Sequence, residues 1–188
     1  DYHFIFEKYQ FDICINCSGA ASVPLSLEFP LKDFNLNTFN VFKILDAIRV
    51  TQPKCKFINL SSAAVYGNPE NLPITEDFKL KPLSPYGIHK MQAEQICKEF
   101  HDYYSIATCS LRIFSAYGNG LKKQLLWDLY KKFNSQENII LYGTGYETRD
   151  FIHVDDVINA IHCVIKKGTF TGNEINLANG EEYTIKFI

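Results

Sequence analysis

The sequence places a tyrosine and a lysine, Tyr86 and Lys90, four positions apart in the segment PYGIHKMQAEQICKEFHDYY. A separation of four puts both side chains on one face of a helix, one turn apart. A tyrosine hydroxyl has an ordinary pKa of about 10, and a neighbouring ammonium favours its ionised form. Such a pair could take a proton from a hydroxyl group of a bound molecule, or return one. Alone, the spacing is weak evidence, because both residue types are common on helix surfaces.

A serine pair adds a third polar group. Ser61 and Ser62 come directly after the apolar run KFINL. In a parallel sheet, residues at the carboxyl end of a strand face the ligand crevice. Ser62 could therefore bind the same hydroxyl group as Tyr86. A serine pair that simply ends a strand by ordinary turn chemistry is the alternative.

Short apolar runs, typical of buried strands, alternate along the chain with longer segments that show the apolar periodicity of helices. Strands are predicted at FDICINCS, KFINLS, ATCSLRIF, NIILYG, DFIHV and NEINLA. Helices are predicted at FNLNTFNVFKILDAIRV, PYGIHKMQAEQICKEFHDYY, residues 124–133 and DDVINAIHCVIKK, and the last segment, EEYTIKFI, is interpreted as the start of another helix. This order predicts an α/β fold, a Rossmann-like doubly wound parallel sheet with helices on both faces.

The sequence lacks one expected feature of such a sheet. A dinucleotide-binding sheet opens with a strand, a glycine-rich turn and a helix, but neither G-x-G-x-x-G nor G-x-x-G-x-x-G occurs in the 188 residues. Roughly two βα units of about 30 residues each would complete the first half. We therefore interpret the chain as an internal fragment, with the sheet incomplete at its amino end.

The composition excludes several classes of protein. The content of 46% hydrophobic residues predicts a folded core. The net charge of −2 predicts no bulk attraction to nucleic acid or anionic membranes. No apolar run approaches the ~20 residues of a membrane span. The six cysteines lie in apolar segments, which favours buried thiols and the cytoplasm. Cys14 and Cys17 form a C-x-x-C without a second metal-binding pair, so we expect core residues there and no metal.

The polar segments together resemble a known family. SSAAVYG, a proline-containing loop with LPITE, and SPYGIHKMQAE are similar to the extended short-chain dehydrogenase/reductases. Among these, the chain most resembles the NAD-dependent epimerase/dehydratase family, and within it the UDP-glucose 4-epimerases. The resemblance covers nearly the whole chain in order. It implies that Ser62, Tyr86 and Lys90 are the catalytic residues.

The resemblance also implies NAD as the cofactor. The segment NCSGAASV would pass close to it, and the helix NLNTFNVFKIL would lie behind it. The cofactor-binding residues implied in this way are Ser18, Gly19, Ala20, Asn37, Tyr86 and Lys90. Lys90 would bind the nicotinamide ribose. Asn37 is equally well explained as a polar residue on the side of a helix.

A nucleotide sugar is the substrate that the resemblance implies. Besides Ser62, the substrate-binding residues would be Ser115, where the family usually has asparagine, and Arg149 in RDFIHVDD. A guanidinium suits a diphosphate because it forms two parallel hydrogen bonds. Asp155 and Asp156 follow a strand and begin a helix, so we expect them to cap it.

The expected reaction begins at the sugar. Tyr86 would remove a proton from the 4-hydroxyl group while NAD oxidises the carbon, which leaves a 4-keto sugar. An epimerase then reduces this sugar on its other face. A 4,6-dehydratase of the family needs an aspartate and a glutamate directly after the catalytic serine, where this chain has Ala63 and Ala64. The expectation is a UDP-hexose 4-epimerase first, another sugar-nucleotide epimerase, decarboxylase or reductase second, and a dehydratase third.

Two regions with different functions are expected in the chain, and the resemblance further implies a second copy of the protein as a partner. Residues 1–120 would be the remainder of the NAD-binding domain with the catalytic residues. Residues 121–188 would be part of a small substrate-binding region, interleaved with the last sheet strands. The full-length protein is expected to be a homodimer. A homologue that binds nucleotide without turnover is the alternative class, against which the intact set of Ser62, Tyr86 and Lys90 argues.

Overall fold

The computed structural model describes residues 1–135, 140 and 143–188. Its α-helices are α1 (Tyr2–Lys8), α2 (Val23–Glu28), α3 (Pro30–Phe34), α4 (Asn40–Thr51), α5 (Pro85–Tyr104), α6 (Gln124–Asn134) and α7 (Val154–Lys167). Its strands are β1 (Ile13–Asn16), β2 (Lys56–Ser62), β3 (Thr108–Ile113), β4 (Ser115–Tyr117), β5 (Thr148–His153), β6 (Thr171–Leu177) and β7 (Glu182–Thr184). A π-helical turn, Asn35–Phe39, leads into α4, and a 3₁₀ turn, Ala63–Val65, follows β2.

Strands β1, β2, β3 and β6 form a four-stranded sheet. Its strand order is β1-β2-β3-β6, and β2 pairs in parallel with both β1 and β3. Parallel strands need crossover connections, which the helices between them provide. This arrangement confirms the predicted α/β, Rossmann-like fold class.

The chain forms two compact units. The first unit comprises residues 1–113 and 163–176, and the second comprises residues 114–162 and 177–188. In the second unit, β4 pairs in parallel with β5, and β5 pairs antiparallel with β7. The division of labour expected between residues 1–120 and 121–188 concerns ligand binding and stays a prediction.

Helix α5 has the bounds that the sequence predicts. Ser84 caps its amino end, where the Ser84 hydroxyl accepts a hydrogen bond of 3.1 Å from the backbone N–H of Gly87. Pro85 occupies the first helical position, which requires no N–H donor. The helix ends at Ser105, whose φ of 57° is left-handed and stops the helical path.

The core of the first unit lies between the helices and the sheet. Its buried members are Phe6, Val41, Ile44, Leu45, Ala47, Ile48, Cys55, Phe57, Ala93, Cys97, Phe100 and Ile106. Ile96 packs against this cluster. Ile96 and Phe100, both on α5, therefore serve the core of this chain.

Several local predictions differ from the structure. Helix α1 was not expected, although Asp1 caps it by accepting from the backbone N–H of His3. The segment interpreted as the start of a last helix instead forms the short strand Glu182–Thr184. The strand predicted at NIILYG falls mostly outside the described residues. Cys17 and Cys163 are exposed rather than buried.

No helix among residues 1–135 and 143–188 has the length and apolar character needed to cross a membrane. Within the same part of the chain, no three His, Cys, Asp or Glu side chains are placed to hold a metal ion.

Candidate functional site

Ser62 lies at the carboxyl end of β2, where the sequence predicted it. The preceding residues of β2 are largely buried, and Ser62 pairs with Ile113 of the neighbouring strand. The Ser62 hydroxyl accepts a hydrogen bond of 3.2 Å from the backbone N–H of Ala64 and so caps the short 3₁₀ turn. Both the turn chemistry and the position at the strand end are therefore present.

Tyr86 lies in the first turn of α5 beside this strand end. A Cβ atom added to the next residue, Gly87, would be only 2.7 Å from the carbonyl oxygen of Ala64. A side chain at Gly87 would thus separate the helix from the strand end. With glycine there, Tyr86 lies close enough to Ser62 for the Ser62 side chain to affect the pKa of Tyr86.

Lys90 lies one helical turn beyond Tyr86, as the spacing requires. Its side-chain ammonium is 5.9 Å from the centre of the Tyr86 ring and donates a hydrogen bond of 2.9 Å to the carbonyl oxygen of Leu60. Lys90 is only 7% exposed. The structure therefore brings together Ser62, Tyr86 and Lys90.

The electrostatics of this group differ from the expectation for Tyr86. Burial raises the pKa of Tyr86, and the nearby Ser62 side chain lowers it by a smaller amount. The prediction that Lys90 would shift Tyr86 toward its ionised form is thus wrong for the protein alone, because desolvation is the larger effect. Burial also lowers the pKa of Lys90 to about 8, against the opposing charges of Asp33 and Glu94.

The segment at residues 18–20 follows β1 and is held by side-chain amides. Asn37 accepts a hydrogen bond from the backbone N–H of Ala20 (3.3 Å) and donates one to the Ala20 carbonyl oxygen (3.1 Å). Asn40 donates to the Ser18 hydroxyl over 2.7 Å. Asn37 lies in the π-helical turn, a feature that often occurs at functional sites.

Gly19 brings the backbone of this segment next to Lys90. Its φ of +121° is a conformation that other residues rarely adopt. An added Cβ atom would lie 2.6 Å from the side-chain oxygen of Asn37 and 3.6 Å from the Lys90 nitrogen. Backbone without a side chain beside a buried ammonium fits the close passage of a cofactor that the resemblance implies.

A buried ion pair joins α5 to β3. It was not predicted from the sequence. Arg112 of β3 contacts the carboxylate of Glu94 over 2.8 Å, and both side chains are almost fully buried. Glu94 also accepts a hydrogen bond from Ser61, the neighbour of Ser62. The repeated spacing of four from Tyr86 to Lys90 to Glu94 was the available sequence signal.

The second unit holds the two other predicted substrate-binding residues. Ser115 begins β4 and pairs with Phe151 of β5. Arg149 lies in β5, is exposed, and donates a hydrogen bond of 2.7 Å to the Thr148 carbonyl oxygen. Arg149 also lines a cavity of this unit together with Lys131 and Lys132.

The predicted helix cap in the second unit is shifted by two residues. Helix α7 begins at Val154, so Asp155 and Asp156 lie within its first turn. The backbone N–H of Asp155 donates to the ring nitrogen Nδ1 of His153 over 3.3 Å. His153 therefore supplies the capping acceptor, and the two aspartates interact with the positive end of the helix dipole.

The parallel α/β sheet, with Ser62 at a strand end and Tyr86 and Lys90 on the adjoining helix, places the chain in the Rossmann-like fold class. Comparison with known proteins identifies the family within this fold class. The NAD dependent epimerase/dehydratase family matches residues 1–178. The chain belongs to this family.

Several of its relatives are named as epimerases. A putative UDP-glucose 4-epimerase of Methanocaldococcus jannaschii is 28% identical and matches 95% of this chain and 60% of its own length. A UDP-glucose 4-epimerase of Bacillus subtilis is 30% identical and matches 96% of this chain and 59% of its own length. The chain thus spans about 60% of the length of these relatives.

The solved structures agree with the fold. UDP-glucuronic acid 4-epimerase of Bacillus cereus, in complex with UDP-glucuronic acid and NAD, superposes with a TM-score of 0.90 at 26% identity. The superposition covers 100% of this chain and 59% of that one. A dTDP-glucose 4,6-dehydratase of Streptomyces venezuelae superposes with a TM-score of 0.92, but its 21% identity shows only the shared fold.

Proposed function

We propose that this chain is the catalytic part of an NAD-dependent sugar-nucleotide epimerase that acts on the 4-hydroxyl group of a hexose, as a UDP-glucose 4-epimerase does. The observation that carries the proposal is the placement of Ser62 at the end of β2 beside Tyr86 on α5, with Lys90 one turn away. The names of the relatives favour the same reaction.

Tyr86 and Ser62 have the proton-transfer roles in this proposal. Tyr86 accepts the proton of the 4-hydroxyl group and later returns it. Ser62 binds the same sugar oxygen. The Ser62 side chain opposes the effect of burial on the pKa of Tyr86 and so favours the ionised form in which tyrosine can accept a proton.

Lys90 and the segment at residues 18–20 would hold NAD, which supplies the oxidation and reduction of the sugar carbon when it is bound. A lysine ammonium has three N–H donors, of which one is directed at the Leu60 carbonyl oxygen. The others suit the hydroxyl groups of a ribose. Gly19, with Ser18 and Ala20 on either side, lets the backbone approach the cofactor.

The residues after Ser62 favour epimerisation over 4,6-dehydration. Elimination of water from carbons 5 and 6 needs an additional acid and base. Ala63 and Ala64 occupy the two positions that follow Ser62, in the 3₁₀ turn Ala63–Val65, and neither side chain can transfer a proton. A 4-keto-6-deoxy sugar among the products would contradict this assignment.

The proposal is tested by changing Tyr86 to phenylalanine in the complete gene product that carries these residues. We expect Tyr86→Phe to reduce kcat for the interconversion of UDP-glucose and UDP-galactose by about 10²- to 10⁴-fold, the usual contribution of a general acid–base group. Tyr103→Phe, on the same helix but 80% exposed, is the matched control and should leave kcat unchanged. Equal rates for wild type and Tyr86→Phe would refute the enzymatic role.

Further parts of the proposal concern the remaining ligands and the assembly. We propose that Ser115 and Arg149 contact the diphosphate of the nucleotide sugar and that residues 121–188 contribute to its binding. We expect residues 1–188 alone to be inactive, because they contain no glycine-rich turn for the pyrophosphate. A cytoplasmic location and a homodimer of the complete protein are also proposed, and sedimentation equilibrium measures the latter.

A further inference from the structure

A buried carboxylate lies behind the segment at residues 18–20. Asp33 of α3 is 3% exposed, and its Oδ2 atom lies 2.6 Å from ring nitrogen Nδ1 of His89 on α5. Its other oxygen accepts a hydrogen bond of 3.0 Å from the side-chain nitrogen of Asn37. Both oxygens of Asp33 are therefore directed at specific partners.

This carboxylate determines which way the Asn37 amide faces. An ionised carboxylate can only accept hydrogen bonds, so the NH₂ group of Asn37 must face Asp33. The amide oxygen then faces the backbone N–H of Ala20, over 3.3 Å. The second N–H of the amide reaches the Ala20 carbonyl oxygen. A rotated amide would lose both contacts with Ala20.

The contacts of Asn37 in turn position the backbone beside Lys90. Gly19 precedes Ala20, and an added Cβ atom on Gly19 would lie 3.6 Å from the Lys90 nitrogen. His89, the partner of Asp33, directly precedes Lys90 in the sequence. Asp33 thus connects two elements that border the same ammonium group.

We propose that Asp33, held by His89, is a positioning residue that fixes the Asn37 amide and thereby holds the segment at residues 18–20 against the Lys90 ammonium. The inference rests on the proposed function only because that function gives Lys90 its role in binding the cofactor.

The charges around Lys90 support this assignment. Burial lowers the pKa of Lys90 to about 8, and the charge of Asp33 is the largest opposing effect. The other titratable groups that act on Lys90 are Glu94 and Cys97, on its own helix, while Asp33 acts from α3. Removing the charge of Asp33 should therefore lower the pKa of Lys90 further. If Asp33 only formed structural hydrogen bonds, its replacement would not have to lower the pKa of Lys90.

The test follows the ionisation of Lys90 by NMR, using lysine labelled with ¹³C and ¹⁵N and Lys90→Arg for assignment. In the wild-type chain, we expect the titration midpoint near about 8. In Asp33→Asn, it should fall by about one pH unit, as expected for the loss of a nearby opposite charge. Asp46→Asn removes a carboxylate on α4 that pairs with Arg49 and should leave the midpoint unchanged.

A second measurement reports on the segment itself. Hydrogen exchange of the Ala20 backbone amide should become about tenfold faster in Asp33→Asn, because the Asn37 amide can then rotate. His89→Gln keeps the carboxylate but removes the ring that holds it, so faster exchange at Ala20 is expected there as well. If Asp33→Asn does not fold, His89→Gln decides the question by the same exchange measurement.

The outcomes separate this inference from the proposed function. Unchanged Ala20 exchange in folded Asp33→Asn overturns the inference whatever the Lys90 midpoint does, as does an unchanged Lys90 midpoint or an equal shift in Asp46→Asn. Unchanged Ala20 exchange in His89→Gln overturns it where only that variant folds. Neither readout involves NAD or a sugar, so an inactive wild-type protein would refute the proposed function and leave the inference standing.

Discussion

The two compact units of the chain differ in how their charged groups are held. In the first unit, the ion pair between Arg112 and Glu94 is almost completely buried, with side-chain exposures of 3% and 2%. In the second, Lys131 and Asp128 form a pair within α6 whose side chains are 57% and 56% exposed. The buried pair of the first unit is held by protein contacts, whereas the pair of the second unit lies largely in water.

This difference has energetic consequences. A charge that is removed from water must be matched closely by its partners, and the loss of one partner leaves the other uncompensated. An exposed pair is solvated in any case and contributes little. The catalytic candidates Tyr86 and Lys90 belong to the first kind of environment, and Arg149 belongs to the second.

The largest expected effect on stability is at the buried ion pair. We expect Arg112→Leu to lower the free energy of unfolding by about 3–5 kcal/mol, because it leaves the Glu94 carboxylate buried without its partner. Lys131→Leu, the matched change in the exposed pair, should cost less than about 1 kcal/mol. Urea denaturation followed by circular dichroism measures both. Similar losses for the two variants would remove the contrast between the units.

The second effect is a pH dependence caused by Lys90. Its pKa falls from 10.5 in the unfolded reference to about 8 in the folded protein. Between these values the unfolded chain holds a proton that the folded chain has released, so stability rises with pH. The rise should total about 3 kcal/mol, and it should be absent below pH 8, where both states are protonated.

Lys90→Met isolates this contribution. The difference in unfolding free energy between wild type and Lys90→Met should grow by about 3 kcal/mol from pH 8 to pH 10.5. The remaining tyrosines and cysteines are present in both proteins and largely cancel in the difference. The exposed Lys131→Met should show no such trend. A constant difference across this range would mean that Lys90 is solvated like Lys131.

The sequence predicted the first unit better than the second, for a physical reason. The bounds of α5 could be predicted from Ser84, Pro85 and an unbroken helical period, and the fold class from the alternation of strands and helices. Ser62, Tyr86 and Lys90 are brought together as expected, because strand ends and helix spacing fix their positions. In the second unit, the short strand Glu182–Thr184 has no pattern long enough to identify it.

Contacts between distant elements could not be predicted from local patterns. Asp33 and His89 are 56 positions apart, so nothing in either segment indicates the pair. The pKa of Tyr86 was predicted with the wrong sign for a related reason. Spacing identifies the neighbouring charge of Lys90, but the amount of burial depends on the whole fold.

The smallest effect that we predict concerns Arg149, and it tests whether exposed charge in the second unit serves binding. Arg149→Ala should raise KM for the nucleotide sugar about tenfold with kcat little changed, because a diphosphate contact away from the reacting carbon stabilises ground and transition states equally. Arg149→Lys should recover only part of this loss, since an ammonium cannot form the paired hydrogen bonds of a guanidinium. Arg49→Ala, an exposed arginine on α4 paired with Asp46, is the control with unchanged KM. An unchanged KM in Arg149→Ala would show that this charge is solvated without a binding role.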